Sequence, residues 1–357
     1  MPGVYISYPF CAQKCTYCNF ASGVFPRELE DRYLGVLLSE LHSTQWPWTP
    51  ETIYLGGGTP SQMAPKALAS VLAAIPGCQW PEATMEAAPG GLDSEKIAAW
   101  RDAGINRVSL GVQSFVQKEL SRTGRRHTAG IVEHEIALLR AAGIESISVD
   151  LIAGLPGQTA ASWSESLDWI ARLNLPHVSV YMLEVDEDSR LGRELLVLGS
   201  RYGAGHVPGE DAIADFYETA VERLASLGLD RYEISNFAWP GFESRHNLKY
   251  WKREPYLGFG ADAHSFDGIL RWQNPESPAD YVAATAALAP VPAEPLSESF
   301  FLGLRLREGV ESNAFPDVIG KFIRHGLLER AGGRVRLTPR GVLLSNEVFA
   351  EFIQPAG

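Results

Sequence analysis

Residues 5–20 read Tyr5-Ile6-Ser7-Tyr8-Pro9-Phe10-Cys11-Ala12-Gln13-Lys14-Cys15-Thr16-Tyr17-Cys18-Asn19-Phe20. Three of the four cysteines in the chain stand here in the spacing C-x3-C-x2-C, directly after a short apolar run. Cubane iron–sulfur clusters are held by cysteine thiolates, normally four of them. Three thiolates leave one iron open to a different ligand. Two plainer readings compete. Structural zinc usually shows paired C-x2-C knuckles, and a single such pair is present. A disulfide framework belongs to small domains in an oxidising compartment, and a chain of 357 residues is not small. The remaining cysteine, Cys78, follows a Pro76-Gly77 turn and reads as a packing residue.

Composition bounds the rest. The length suits one large domain with a smaller one. Apolar residues make up 45% of the chain, enough for a sizeable core. The formal charge is −12, from 31 basic and 43 acidic side chains, which argues against nonspecific nucleic-acid binding. No run of 18 apolar residues predicts a membrane span. A strand expected by Val4 leaves no room for a signal peptide, so the cytoplasm is the expected location, and its reducing poise suits thiolate ligands.

Outward from the cysteines, the first half alternates strand and helix. Strands are expected at Val4–Ser7, Thr52–Leu55, Thr84–Ala88, Arg107–Leu110, Ser146–Ile152 and His177–Leu183. Helices are expected at Pro26–His42, Pro65–Ile75, Ser94–Ala103, Gly130–Ala142 and Ala161–Leu173. Repeated βα units imply parallel strands with helical crossovers. The pattern suits a barrel or a flat doubly wound sheet. The polar motifs favour the barrel, because each follows or ends a strand, as in barrel enzymes. They are the cysteine loop, Gly56-Gly57-Gly58-Thr59-Pro60, Glu86, Gly111-Val112-Gln113-Ser114, Asp150 and Glu184. The predicted architecture is α/β, an incomplete (β/α)6 barrel over residues 1–185.

From residue 186 to 285 the repetition gives way to a barrel extension. Residues 186–208 read as a loop and short helix, and Asp211–Leu227 as a helix. Two dense stretches follow, Tyr232-Glu233-Ile234-Ser235-Asn236-Phe237 and His246-Asn247-Leu248-Lys249-Tyr250-Trp251. A glycine-rich element then runs from Gly258 to Ser265. Residues 286–295 carry Pro290, Pro292 and Pro295 and read as a linker. Helical runs at Glu298–Leu306 and Phe322–Leu328, a hairpin turning at Gly332-Gly333 and a last helix opened by Thr338-Pro339 form a winged-helix-like module over 286–357. With so acidic a chain, docking or support is the expected role of that module rather than DNA binding.

The cysteine loop with Tyr5, Pro9, Phe10 and Tyr17 resembles the radical SAM superfamily. Within it, the chain is similar to the branch of coproporphyrinogen dehydrogenases and heme chaperones (HemW). That resemblance implies a [4Fe-4S] cluster on Cys11, Cys15 and Cys18, whose open iron takes S-adenosylmethionine. It also implies reductive cleavage to a 5′-deoxyadenosyl radical. Carried over residue by residue, the cofactor contacts are Tyr5, Tyr17, Gly57, Gly58, Thr59, Glu86, Gln113, Arg125 and Asp150, with Arg122 and Arg126 as neighbours that could take the place of Arg125. The HNxxYW stretch resembles the heme chaperones, and His246 is the expected axial heme ligand, with Tyr250 and Trp251 as pocket walls; a histidine packed in an aromatic corner is the plainer reading. The implied partners are heme as cargo and heme-acceptor proteins of the respiratory chain, with room for a homodimer. The alternative is oxygen-independent coproporphyrinogen III dehydrogenase. Two features weigh against it: Phe20 stands where those enzymes carry a further cysteine, and only ten residues precede Cys11. No catalytic residue beyond the cofactor set is expected.

Overall fold

Strand periodicity explains the centre of the molecule. A computed structural model describes residues 2–283 and 289–353. Its first six strands are β1 (Gly3–Tyr8), β2 (Thr52–Gly57), β3 (Glu82–Ala87), β4 (Arg107–Gln113), β5 (Ser146–Ala153) and β6 (His177–Met182). They pair in parallel and in chain order. Along each, every second residue is apolar and buried: Val4 and Ile6, Ile53 and Leu55, Val108 and Leu110, Val149 and Leu151, Val178 and Val180. This face packs on the helices α1 (Arg27–Ser43), α2 (Pro65–Ala73), α3 (Ser94–Asp102), α4 (Gln117–Thr123), α5 (Ala129–Ala141) and α6 (Ala160–Leu173), through Leu37, Val71, Trp100, Ile136 and Trp163. The intervening residues are polar or small: Tyr5, Thr52, Tyr54, Glu86, Ser109, Asp150 and Ser179. Period-two alternation therefore puts the core outside the barrel and a polar lining inside it.

The expected βα units are all present, with ends within two residues of expectation except β4, which runs three residues further, to Gln113. One helix, α4, was not expected. The sheet also extends past six strands. After β6 come α7 (Arg190–Leu196), α8 (Glu210–Ser226), β7 (Asp230–Arg231), β8 (Asn236–Ala238), α9 (Arg245–Trp251), β9 (Tyr256–Phe259), β10 (His264–Phe266), β11 (Leu270–Gln273), α10 (Pro278–Val282) and β12 (Val291–Pro292). The order becomes β12-β11-β10-β9-β1-β2-β3-β4-β5-β6-β8-β7. An open barrel leaves strand edges at β1 and β6. Here β9 pairs in parallel with β1 and β8 antiparallel with β6, so both edges are covered.

Part of the expected linker, residues 286–288, lies outside the described residues. Its later part is not linker: Val291–Pro292 pairs with Leu270–Arg271, and Pro295 opens α11 (Pro295–Gly303). The module then runs β13 (Val310–Glu311), α12 (Pro316–Arg324), β14 (Leu328–Ala331), β15 (Arg334–Leu337), α13 (Pro339–Leu343) and α14 (Ser345–Ala350). Its first two helices begin earlier than expected because Pro295 and Pro316 occupy first-turn positions, which suit proline, whereas the last opens at Thr338-Pro339 as expected. The three-stranded sheet β13-β15-β14 includes one strand too short to be legible in the sequence. Phe300 stacks on Phe352 and Phe315 meets both edge-on, with centroids 4.9–5.4 Å apart.

Candidate cofactor site at the barrel mouth

The cysteine loop leaves the carboxyl end of β1 and is tied down at several points. Cys11 N–H donates to Gly23 O (2.8 Å) and Gly23 N–H to Pro9 O (2.9 Å). Thr16 N–H reaches Thr123 O (3.3 Å) at the end of α4, and Gln13 Nε2 reaches Gly124 O (2.7 Å). Leu191 N–H, in the first turn of α7, donates to Thr16 O (2.8 Å). Cys11, Cys15 and Cys18 are all half-buried, whereas Cys78 is exposed. Burial pushes the Cys11 thiol up, against hydrogen bonds from Thr59 and Ser22. Among the described residues, no three His, Cys, Asp or Glu side chains gather around one ion position. Thiolates on separate corners of a cubane are set further apart than ligands of a single ion.

The glycine run braces this loop. Gly58 N–H donates to Tyr8 O and Thr59 N–H to Phe10 O, both at 2.9 Å. A Cβ on Gly58 would lie 2.7–2.8 Å from backbone atoms of Tyr8, Pro9 and Phe10. Gly57 has φ +100°, and Gly56 sits in a notch formed by Tyr54, Tyr5 and Glu86, 3.0–3.2 Å from its missing Cβ. The chain itself supplies the crowding at two of these glycines.

Three arginines stand within five positions at the end of α4, Arg122 in its last turn and Arg125 and Arg126 beyond it, and the fold separates them. Arg122 donates to Pro156 O (3.0 Å) and Arg126 is exposed. Arg125 turns toward the cysteine loop, against Tyr17 and Cys15. Burial opposes its charge, but those two neighbours hold the guanidinium firmly protonated. Tyr17 OH and Arg125 Nε are each buried without a hydrogen-bond partner, and so is Thr16 Oγ1. Buried donors without partners cost free energy. A carboxylate-bearing ligand at the open corner of a cluster would satisfy them, so the donor set fits S-adenosylmethionine.

Deeper in the mouth, Gln113 ends β4 at φ 71°, a strained value for a non-glycine residue, beside a register shift between β4 and β5. Asp150 accepts from Ser109 Oγ at 3.0 and 3.2 Å. Burial raises its pKa, while the Ser179 and Ser109 hydroxyls hold it down. Glu86 accepts from Tyr54 OH (2.8 Å). Burial, reinforced by nearby Asp150, pushes Glu86 up to about 7, although the Tyr54 bond works the other way. Tyr5 stacks on Tyr54, with centroids 6.2 Å apart. The expected cofactor contacts therefore line one region, from Tyr5 and Asp150 inside the barrel to the loops at the carboxyl ends of β1, β2 and β4.

His246 does not belong to it. It lies in α9 at the opposite end of the barrel, over Gly3 and Thr52, the first residues of β1 and β2. Its side chain is 1% exposed. Nδ1 bonds Thr52 Oγ1 (2.8 Å) and Nε2 bonds Tyr250 OH (2.8 Å). Burial, then the Lys249 charge, pushes its pKa down to about 3. Both ring nitrogens are thus hydrogen-bonded, the arrangement of a histidine packed in an aromatic corner. Tyr250 packs edge-on against Tyr256 (4.6 Å), and Arg305 covers Trp251 (4.3 Å).

Residues 5–170 match the model of the radical SAM superfamily, and residues 292–344 that of the HemN C-terminal domain. The chain is 35% identical to the heme chaperone HemW of Lactococcus lactis, with 98% of this chain and 96% of that protein covered. It is 34% identical to the heme chaperone HemW of Bacillus subtilis, with 99% of each covered. The chain belongs to the heme chaperone HemW family. Among solved structures, coproporphyrinogen III oxidase (HemN) of Escherichia coli superposes with a TM-score of 0.85 at 19% identity, covering 98% of this chain and 89% of that one. At that identity the likeness is one of fold. It extends the α/β radical SAM barrel and the small C-terminal domain over the whole molecule. A radical SAM chain implies a [4Fe-4S] cluster and S-adenosylmethionine.

In this HemW family member, sequence reasoning missed the residues that carry the loops. Glu82, buried at the start of β3, accepts from Arg245 N–H and His246 N–H, both at 2.9 Å, and so holds α9 in the barrel floor. Arg107, at the start of β4, donates to Phe242 O (2.9 Å). Gln158 donates to Ile152 O (3.1 Å) and braces the loop after β5. For Arg107 the available signal was a charged residue at the first position of an expected strand; Glu82 lies outside the expected strand Thr84–Ala88.

Proposed function

We propose that the protein is a heme chaperone whose barrel mouth holds a [4Fe-4S] cluster on Cys11, Cys15 and Cys18, with S-adenosylmethionine at the open iron. Tyr5, Tyr17, Gly57, Gly58, Thr59, Glu86, Gln113, Arg125 and Asp150 hold that cofactor. When bound, the pair supplies one-electron reductive cleavage of a carbon–sulfur bond. The residues of the chain do the rest. Arg125 and Tyr17 receive a carboxylate, the Gly57–Thr59 backbone sets the distance between loop and cofactor, and Asp150 and Gln113 offer acceptors to ribose hydroxyls. Heme is the cargo, and its acceptors are respiratory-chain proteins met from the cytoplasm. We divide the chain into a barrel (1–185), a floor and edge extension (186–285) and a docking module (286–357).

The observation that carries the reading is the buried Arg125 cation, packed with Tyr17 against Cys15 of the cysteine loop. The choice of chaperone over dehydrogenase leans on Phe20, whose side chain is 67% exposed beside the third cysteine, has no redox-active atom and stands where the dehydrogenases carry a thiol. The test is anaerobic. The reconstituted protein is mixed with hemin in one vessel, and with coproporphyrinogen III, S-adenosylmethionine and a reductant in another. Stoichiometric heme binding without porphyrin turnover is the expected result. Sustained decarboxylation would install the dehydrogenase reading instead.

A further inference from the structure

The HNxxYW histidine is buried, uncharged and fully hydrogen-bonded, which leaves its part in the molecule open. We infer that His246 is a positioning residue for the S-adenosylmethionine site, acting through Tyr54 on Glu86. The inference rests on the reading of the barrel mouth as that cofactor's site.

The path is short and made of rigid parts. The His246 ring is pinned at both nitrogens by Thr52 and Tyr250. Its face lies on the Tyr54 ring, with centroids 5.2 Å apart and planes inclined by 27°. Tyr54 OH donates to Glu86 Oε1 at 2.8 Å. Tyr5 covers the other side of Tyr54 at 22°. Tyr54 thus stands between the floor histidine and its strand neighbour Tyr5, and carries the hydroxyl that fixes the Glu86 carboxylate.

Two glycines protect the stack. A Cβ on Gly3 would lie 2.8 Å from Thr52 Oγ1 and 3.2 Å from His246 Cε1. One on Gly56 would meet Tyr54, Tyr5 and Glu86 within 3.2 Å. The floor also holds α9 from below: Glu82 takes the His246 N–H, and Lys249 Nζ reaches Glu51 Oε2 at 2.6 Å. Without the imidazole, Tyr54 loses the surface that sets its ring, and a buried carboxylate loses its aimed donor. Polar networks of this kind act as a unit, so removing either member removes one shared effect.

The experiment is a double-mutant cycle on the anaerobically reconstituted, cluster-loaded protein, read by equilibrium binding of S-adenosylmethionine and, separately, by the Soret band and hemin affinity. His246→Ala and Tyr54→Phe are each expected to weaken S-adenosylmethionine about tenfold, and the double variant by about the same tenfold rather than a hundredfold. The Soret band and hemin affinity should match the parent in all three. Thr52→Val keeps the packing, removes one pin and should cost about threefold. If His246→Ala does not fold, the cycle of Thr52→Val with Tyr54→Phe takes its place. Parental cofactor affinity in the single variants, multiplying effects in the double, or a changed Soret band with unchanged cofactor affinity in His246→Ala would each overturn the inference. A parent protein that binds no S-adenosylmethionine would instead defeat the cofactor reading beneath it.

Discussion

Arg122, Arg125 and Arg126 are near neighbours of one residue type, yet only the fold tells them apart. Gly124 takes φ 84° at the end of α4, and Arg125 N–H returns to Leu120 O (2.8 Å), which turns the next side chain toward the cysteines. Arg125→Ala should therefore weaken S-adenosylmethionine by one to two decades, since a charge-assisted contact is worth roughly 1.5–3 kcal/mol. Arg126→Ala should leave affinity unchanged, and isothermal titration of the two variants checks the contrast. Gly58 invites a second test. Gly58→Ala forces a methyl into the Tyr8–Phe10 backbone, an overpacking cost of about 1–3 kcal/mol. Iron content after reconstitution should fall although every cysteine is kept, while Cys78→Ser should hold the parental amount. At this scale the sequence was legible wherever spacing carries chemistry, as in the cysteine triad. It was not legible at the arginines, where the deciding turn belonged to a helix not foreseen, nor at His246, whose partners Thr52 and Glu82 lie far off in the chain.

At the level of elements, alternation did the work. Period-two patterning in β1–β6 was visible, and its polar half proved to be the lining of the site. The helix α4 is not legible because Gln117–Thr123 is a single short run with no repeating apolar face, and the strands β7, β8 and β12 are two or three residues long, too short for any period. The polar lining makes stability depend on pH. Glu86 has its ordinary value near 4.5 in the unfolded chain and about 7 when folded, so the folded state binds the proton more tightly. Stability should accordingly decline as pH rises from about 4.5 through about 7, the direction set by a raised carboxylate. Glu86→Gln should flatten that decline. Urea unfolding of the apoprotein at a series of pH values measures it, and an unchanged slope in the variant would remove Glu86 from the account.

Across the whole molecule, Glu298 joins the C-terminal module to the sheet. Its carboxylate takes Arg253 Nε at 2.8 Å and Arg271 NH2 at 2.7 Å, with only 10% of the side chain exposed. Glu298→Gln leaves two guanidiniums facing a neutral amide and should cost about 3 kcal/mol, read as a lower denaturation midpoint. If the midpoint does not move, the module is held by its apolar contacts and the ion pairs are incidental. The module's existence was legible from its prolines and its Gly332-Gly333 turn. Its attachment was not, because each of these partners is isolated in the chain.

The pairing of β1 with β9 has a consequence for biogenesis. Gly3–Ile6 has Thr52–Leu55 on one side and Tyr256–Phe259 on the other. As the chain leaves the ribosome from its amino end, the strand that launches the cysteine loop keeps a bare edge until Phe259 has emerged. The floor helix that seats against Gly3 emerges just before it. A nascent chain halted upstream of Tyr256 would thus expose its thiols on an unfinished support, and delivery of iron and sulfide belongs after translation has passed that point.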